Sequence, residues 1–413
     1  MDKNTPEPKA FPAYFPQAKP QDRPLSAAMA RMYDMWNAQS DVDNEFYTIF
    51  KYASLTGIGK EQGVSRRDPT TVIKEGDTYY VWYTKRQTES EPRGFEGQTD
   101  TIPAVDWDLA DIWYATSQDG FEWVEQGIAV HRAPQGEYGD RALTTPGLLV
   151  YGGKYYLYYQ TYTTRWEKGD TNTVSMAWAD SPEGPWTRLG YPLIEQGAAD
   201  AWDSRSIHDP FPMVYRGQIW LYYKGGPFPQ GSGTILRAQG VAIANQPEGP
   251  FTKSALNPVI NSGHETCLYP YREGVAAIAS LDGPEKNTIQ YAPDGLNFEP
   301  KSHIVLPPHA PGAFCPDMFS DTGDGRGITW GLAHIVGEPS QPGYGPGGYQ
   351  GTINCFIVRF DCSLSRDVED PRFKVSNLRF GENVFLQKPM RLPEDWKASI
   401  LQAQLDIDGE PKA

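Results

Sequence analysis

Three stretches of the chain share one arrangement of apolar and polar positions. Residues 71–83 (TVIKEGDTYYVWY), 148–159 (LLVYGGKYYLYY) and 212–223 (PMVYRGQIWLYY) each run from an apolar segment through a glycine turn into an aromatic segment. This is the pattern of a hairpin of two strands joined by a tight turn. A second signature follows each hairpin, a strand ending in Asp/Glu-Gly and an aromatic. It occurs at residues 114–123 (YATSQDGFEW), 179–186 (ADSPEGPW), 244–251 (ANQPEGPF) and 291–298 (YAPDGLNF). The closing aromatics stand at 123, 186, 251 and 298, in steps of 63, 65 and 47 residues. A weaker fifth unit spans residues 317–334 and 354–360.

Four strands per unit and about five units predict an all-β fold, a five-bladed β-propeller. A pair of β-sandwiches would not generate the same two-part signature four times. The propeller is expected over residues 43–413, with a C-terminal extension. Residues 1–42 differ: a Pro-rich arm runs to Pro24, and Ser26 is then a plausible N-cap for a helix over residues 26–37. A short helix on an extended arm needs a surface, on its own chain or on a partner's.

Composition supports this picture. The 413 residues include 41 Gly and 36 Pro, and 13% are aromatic. Long helices tolerate neither Gly nor Pro, whereas short strands and turns use both. The 52 acidic residues outnumber the 37 basic ones, for a net charge of −15. That balance argues against nucleic-acid and membrane partners, and against strongly anionic substrates unless a local basic pocket overrides it. No apolar run approaches a membrane span. The N-terminus lacks the apolar core of a secretory signal, so a cytoplasmic or periplasmic location is expected. Cys267, Cys315, Cys355 and Cys362 fit no zinc motif and are expected to be reduced, packed thiols.

In a propeller the innermost strand of each blade starts at the central funnel. Aligning the repeats places Asp68-Pro69, Thr145-Pro146, Asp209-Pro210, His264-Glu265 and Pro316-Asp317 there. Carboxylates converging on one channel repel unless they serve a purpose or a cation offsets them. Together with abundant Trp and Tyr, they suit carbohydrate chemistry, in which one group protonates the leaving oxygen and another activates water. Trp107, Trp113, Trp178 and Trp202 are stacking candidates; Trp107 and Trp202 are preferred because they lie in loops. The residues alone leave the acid open between His264 and Glu265, and the usual two-carboxylate scheme favours Glu265.

The run Ser26-Ala27-Ala28-Met29-Ala30-Arg31 resembles the SxAxxR motif of glycoside hydrolase family 117. Arg67-Asp68-Pro69, Ile207-His208-Asp209-Pro210 and Gly263-His264-Glu265 resemble that family's blade motifs, and the resemblance covers residues 20–390. It implies an exo-acting, inverting α-1,3-(3,6-anhydro)-L-galactosidase that releases 3,6-anhydro-L-galactose from neoagaro-oligosaccharides. In that reading Asp68 is the general base, Asp209 orients the site and tunes its proton affinities, and His264 is the general acid. His208 is a packing or supporting residue. Glu265, Trp107, Thr145, Gln160, Trp202 and Asp317 would contact substrate. The resemblance further implies a domain-swapped homodimer through the Ser26–Arg31 helix. It requires no cofactor, although a hydrated Mg²⁺ or Ca²⁺ near the axis is compatible with it; no ligand set can be assigned. Two rivals remain, an arabinan- or xylan-directed propeller glycosidase and a catalytically silent carbohydrate-binding propeller.

Overall fold

A computed structural model describes residues 9–33, 45–163, 165, 172–227, 236–336 and 354–367. The helix expected over residues 26–37 is five residues long, Ala27–Arg31, with Ser26 accepting the Met29 N–H as its N-cap. Residues 34–37, and the C-terminal extension beyond residue 367, lie outside the described residues.

Apart from a one-turn helix at Gly94–Gly97, the regular structure of the other described residues is β, in five antiparallel blades. Blade one comprises Ser65–Arg67, Ile73–Glu75, Thr78–Arg86, Asp111–Ser117 and Trp123–Val130, its innermost strand being split in two. Blade two runs Ala142–Tyr151, Lys154–Tyr162, Thr173–Ala179 and Thr187–Arg188. Blade three runs Ser206–Tyr215, Gln218–Gly226, Ala238–Ala244 and Thr252–Lys253. Blade four follows with Cys267–Arg272, Gly274–Ala279, Thr288–Ala292 and Glu299–His303. Blade five takes His309–Ala313, Gly325–Val336 and Cys355–Ser365 from the end of the fold. Its fourth strand, Lys51–Ser54, comes from the beginning and pairs Lys51 with Asp361 and Tyr52 with Phe360. The ring is therefore closed by hydrogen bonds between the two ends of the described propeller.

The repeated aromatics hold neighbouring blades together. Trp82, Tyr158 and Tyr222, on the second strands of blades one to three, are fully buried. Each meets the closing aromatic of the next blade edge-on: Trp82 with Trp186 at 5.9 Å, Tyr158 with Phe251 at 6.4 Å, and Tyr222 with Phe298 at 6.1 Å. Such pairs add about 0.5–1.5 kcal/mol each beyond the area they bury. The two halves of the sequence signature are thus two sides of one inter-blade contact.

The SxAxxR run seats the arm on blades three and four. Ser26 Oγ donates to the Pro258 carbonyl at 2.6 Å, and Asn261 donates to the carbonyl of fully buried Ala28 at 3.1 Å. Arg31 forms a two-pronged ion pair with Glu285 at 2.8 and 3.0 Å and also donates to the Phe298 carbonyl. Phe11 and Met29 complete an apolar cluster with Trp202, Tyr223 and Leu236. All four cysteines are buried and free, with no disulfide among them.

Candidate active site

Every blade breaks its innermost strand at the same point. Asp68, Thr145, Asp209, Glu265 and Ala310 all have φ between 46° and 54°, in the left-handed region that L-residues seldom adopt. In blades two, three and five the break is a bulge in the hairpin register, between Thr144 and Gly147, His208 and Phe211, and His309 and Gly312. These five residues share the wall of one axial channel. Strain repeated at equivalent places around a funnel marks it as the functional end.

The register also shows what holds the kinks. Arg67, Thr144, His208 and His309, each one residue before a kink, pair across their hairpins with Thr84, Gln160, Lys224 and His334. Three of those partners accept the N–H of the kinked residue in the next blade. Thr145 N donates to Thr84 Oγ1 (2.7 Å), Asp209 N to Gln160 Oε1 (2.8 Å) and Asp68 N to His334 Nδ1 (3.2 Å). Lys224 is a cation and cannot accept. It binds Asp209 Oδ2 at 2.8 Å instead, and that same oxygen accepts the Glu265 N–H at 3.0 Å.

A cavity of about 240 Å³ opens over this ring and brings together Asp68, Trp107, Thr145, Gln160, Asp209, His264 and Glu265. Trp202 and Asp317 are not part of it. Trp202 folds back beneath the arm, 2% exposed and stacked on Tyr223 at 5.6 Å, so it fills the core. Asp317 clamps Arg326, accepting from its guanidinium at 2.8 Å and its backbone N–H at 2.9 Å. The fifth funnel position belongs to Ala310, not Asp317, so three of five kinks carry a carboxylate rather than four. Trp113 lies beneath the Lys85 ammonium at 3.6 Å, and Trp178 packs at the edge of the arm's apolar cluster; neither lines the cavity.

Lys224, His334 and Asp282 were not singled out by the sequence, and Arg67 entered only as a member of the Arg67-Asp68-Pro69 motif, with no role given to it. Arg67 reaches Asp68 at 2.9 Å, Asp106 at 3.1 Å and Glu265 at 3.0 Å, so one guanidinium serves three buried carboxylates. Asp68 further accepts from the Thr84 and Thr145 hydroxyls at 3.1 and 3.3 Å. Burial would raise the Asp68 carboxyl, but Arg67 and His334 outweigh it and hold it well below the usual carboxylate range. For Asp209 too, burial acts upward and is overcome, here by Lys224 and the neighbouring histidines. Glu265 goes the other way. Burial and the Asp68 charge push its carboxyl up to about 7. His208, which lines the cavity, is kept well below the usual histidine range by burial and by Lys224.

His264 is the most open of the candidate acid–base groups. Its side chain is 27% exposed against 6% for Glu265. Its Nδ1 faces Asp282 at 3.2 Å, a contact that holds the Asp282 carboxyl below its usual range. Nε2 is left on the cavity side, 3.9 Å from Glu265 Oε1.

Among the described residues, two groups of donor atoms lie within 4.8 Å of one another, Asp68–Glu265–His334 and Asp209–His264–Glu265. Arg67 or Lys224 already neutralises carboxylates in both. Neither set suits direct ligation of a hard divalent ion.

Residues 65–239 match the model of "Glycosyl hydrolases family 43". Among solved structures, the chain is similar to Zg3597, a family 117 glycoside hydrolase from the marine bacterium Zobellia galactanivorans. The two share 43% identity over 86% of this chain and 99% of that one, with a TM-score of 0.75. A structure described as "Glycoside hydrolase" shares the fold at 13% identity, over 82% of this chain and 96% of that one, with a TM-score of 0.54. No curated protein matches the chain.

Proposed function

The chain belongs to glycoside hydrolase family 117, and we propose that it removes 3,6-anhydro-L-galactose from the non-reducing end of neoagaro-oligosaccharides with inversion of configuration. The substrate follows from the family resemblance. A cavity of about 240 Å³ is small for a ligand site and suits one terminal sugar, in keeping with exo-action. Trp107, half-buried on the cavity wall with Arg67 5.1 Å from its ring centroid, offers an apolar face to that sugar.

In the proposed mechanism Asp68 takes a proton from water as the oxygen attacks the anomeric carbon. His264 Nε2 gives a proton to the departing glycosidic oxygen as the bond to it breaks. Asp282 orients the imidazole through Nδ1, and Asp209, fixed by Lys224 and Gln160, sets the backbone of Glu265 behind it. A hydrated Mg²⁺ or Ca²⁺ near the axis would sit there through water, and no step depends on it.

One observation carries the assignment of His264. An inverting pair needs room for water between its members, with carboxyl groups about 6.5–9.5 Å apart. Asp68 and Glu265 oxygens come within 4.8 Å. Glu265 is too close to Asp68 to be its acid partner in an inverting pair. His264→Ala should therefore lower kcat/KM for neoagarobiose by roughly 10²–10⁴-fold. Activity that survives His264→Ala but is lost in Glu265→Gln would transfer the role to Glu265 and favour an arabinan- or xylan-type enzyme. Binding of neoagarobiose by the wild type without turnover would leave a carbohydrate-binding propeller.

The arm's seat on blades three and four is equally suited to the arm of a second copy, and a homodimer formed by exchanging arms is part of this proposal. Light scattering should give twice the chain mass for the full protein and a single chain for one lacking residues 1–40. An unchanged mass would defeat the exchange.

A further inference from the structure

The residues one position before the five kinks form a second tier of the funnel. They are Arg67, Thr144, His208, His264 and His309, and the first four line the cavity. Arg67 is committed to three carboxylates, and His264 is the proposed acid. His208, the blade-three member, puts an imidazole on the same wall. The sequence alone gave it a packing or supporting role.

The ring of His208 is fixed from behind. Asn172 is fully buried, and its backbone carbonyl accepts the Ile207 N–H at 3.1 Å, which pins it to the strand carrying His208. Asn172 Nδ2 stands 3.4 Å from His208 Nδ1. An amide NH₂ only donates, so Nδ1 is the accepting nitrogen and the ring proton sits on Nε2. Among the described residues, no group hydrogen-bonds Nε2. It lies beside Gly226, which also lines the cavity; a Cβ there would stand 3.9 Å from Nε2. The glycine leaves that N–H uncovered. The same surroundings keep the ring uncharged. Across the hairpin His208 faces Lys224, whose ammonium binds Asp209 Oδ2 at 2.8 Å. Burial, then Lys224, His264 and Arg237, act against a proton on Nδ1 and outweigh Asp209. The result is a neutral donor with no lone pair to offer the cavity.

We propose that His208 is a substrate-binding residue, whose Nε2–H donates to an uncharged oxygen of the terminal sugar in the tautomer that Asn172 sets. This deepens the glycosidase reading and rests on it. A sugar that fills a cavity of about 240 Å³ meets both His264 and His208, so acid and donor reach one ring from adjacent blades. A hydroxyl or an ether bridge can accept from such a donor. A ring with only C–H groups at that place would leave the N–H unpaired, which is how a polar site rejects a wrong substrate.

The test is nitrogen NMR of the full protein labelled with ¹⁵N at histidine, the His208 signals being assigned by their loss in His208→Gln. Between about pH 5 and 8 they should be those of a neutral ring protonated on Nε2. They should move when neoagarobiose, arabinobiose or xylobiose is added in large excess, so that the site stays occupied. For whichever sugar is cleaved, His208→Phe should lower kcat/KM about tenfold, and His208→Gln, which keeps an N–H near the place of Nε2, should recover most of the loss. His208 signals that no bound sugar moves overturn the proposal, as does a ring protonated on Nδ1. Equal losses in the Phe and Gln variants overturn it too, because a packing role alone would give them. The outcomes separate this inference from the reading beneath it. If only a pentose disaccharide binds and is cleaved, the neoagarobiose reading falls and the shift on that sugar decides for His208. If neoagarobiose is cleaved while the His208 signals stand still, the reading holds and the inference falls. If none of the three binds, both fall.

Discussion

At the scale of single residues the site is governed by a shortage of cations. Arg67 faces three carboxylates, and Glu265, the one pushed up to about 7, keeps its proton best. A carboxyl near 4.5 when unfolded and near 7 when folded means that the native state holds an extra proton between those values. Stability from this group is complete below about pH 4.5 and is lost as pH rises through 7. Glu265→Gln mimics the protonated form. It should leave stability nearly unchanged at pH 4.5 and raise it at pH 8, by up to about 3 kcal/mol. Thermal melts of both proteins at the two pH values check this, and a variant effect that does not change with pH refutes it. Asp68, Asp209 and the His264-Glu265 pair were legible in the sequence because acids before the innermost strand stand out. Arg67 and Lys224 left weaker traces, Arg67 as the neighbour of Asp68 and Lys224 as a charge closing the aromatic strand of blade three. Asp282 and His334 meet the site only through tertiary contact.

At the scale of elements, the bulged hairpin is the unit that carries function, and its legibility was partial for a definite reason. Aromatic strands and glycine turns declared the hairpins. The funnel positions were sought by their acids, which placed Asp317 in the fifth blade, where the true equivalent is Ala310. The shared signal was the proline after the kink, present as Pro69, Pro146, Pro210 and Pro311. The bulge brings inner strands so close that some positions admit only glycine. A Cβ on Gly147 would stand 2.3 Å from the Pro210 carbonyl oxygen, and one on Gly312 would stand 1.9 Å from that of Thr70. These obstacles are backbone and cannot rotate away. Gly147→Ala should destabilise the protein by about 1–3 kcal/mol in denaturant titration. Because it displaces the strand bearing Thr145, kcat should fall as well. A variant with unchanged midpoint and unchanged kcat would show that the blades are free to separate there.

For the whole molecule, the arm and the strand after it do different jobs, and truncation separates them. Residues 9–33 lie outside the ring and cover Trp202 and Leu236 on blade three. Residues 51–54 belong to the ring, because they complete blade five beside Cys355–Ser365. The sequence made the arm visible through its prolines and its capped helix. It hid the closing strand, since Lys51–Ser54 is only four residues long and its partner lies about 300 positions away. A chain lacking residues 1–33 loses an apolar cover and the Arg31–Glu285 pair but keeps the ring shut. It should unfold in one cooperative step at a lower temperature. A chain lacking residues 1–54 leaves the edge of Cys355–Ser365 unpaired and exposes Phe360, and a propeller opened at one blade loses the mutual support of all five. It should lose the near-ultraviolet dichroism of its packed aromatics and the cooperative transition together. If the longer truncation melts as sharply as the shorter one, closure through Lys51–Ser54 is not what holds the ring.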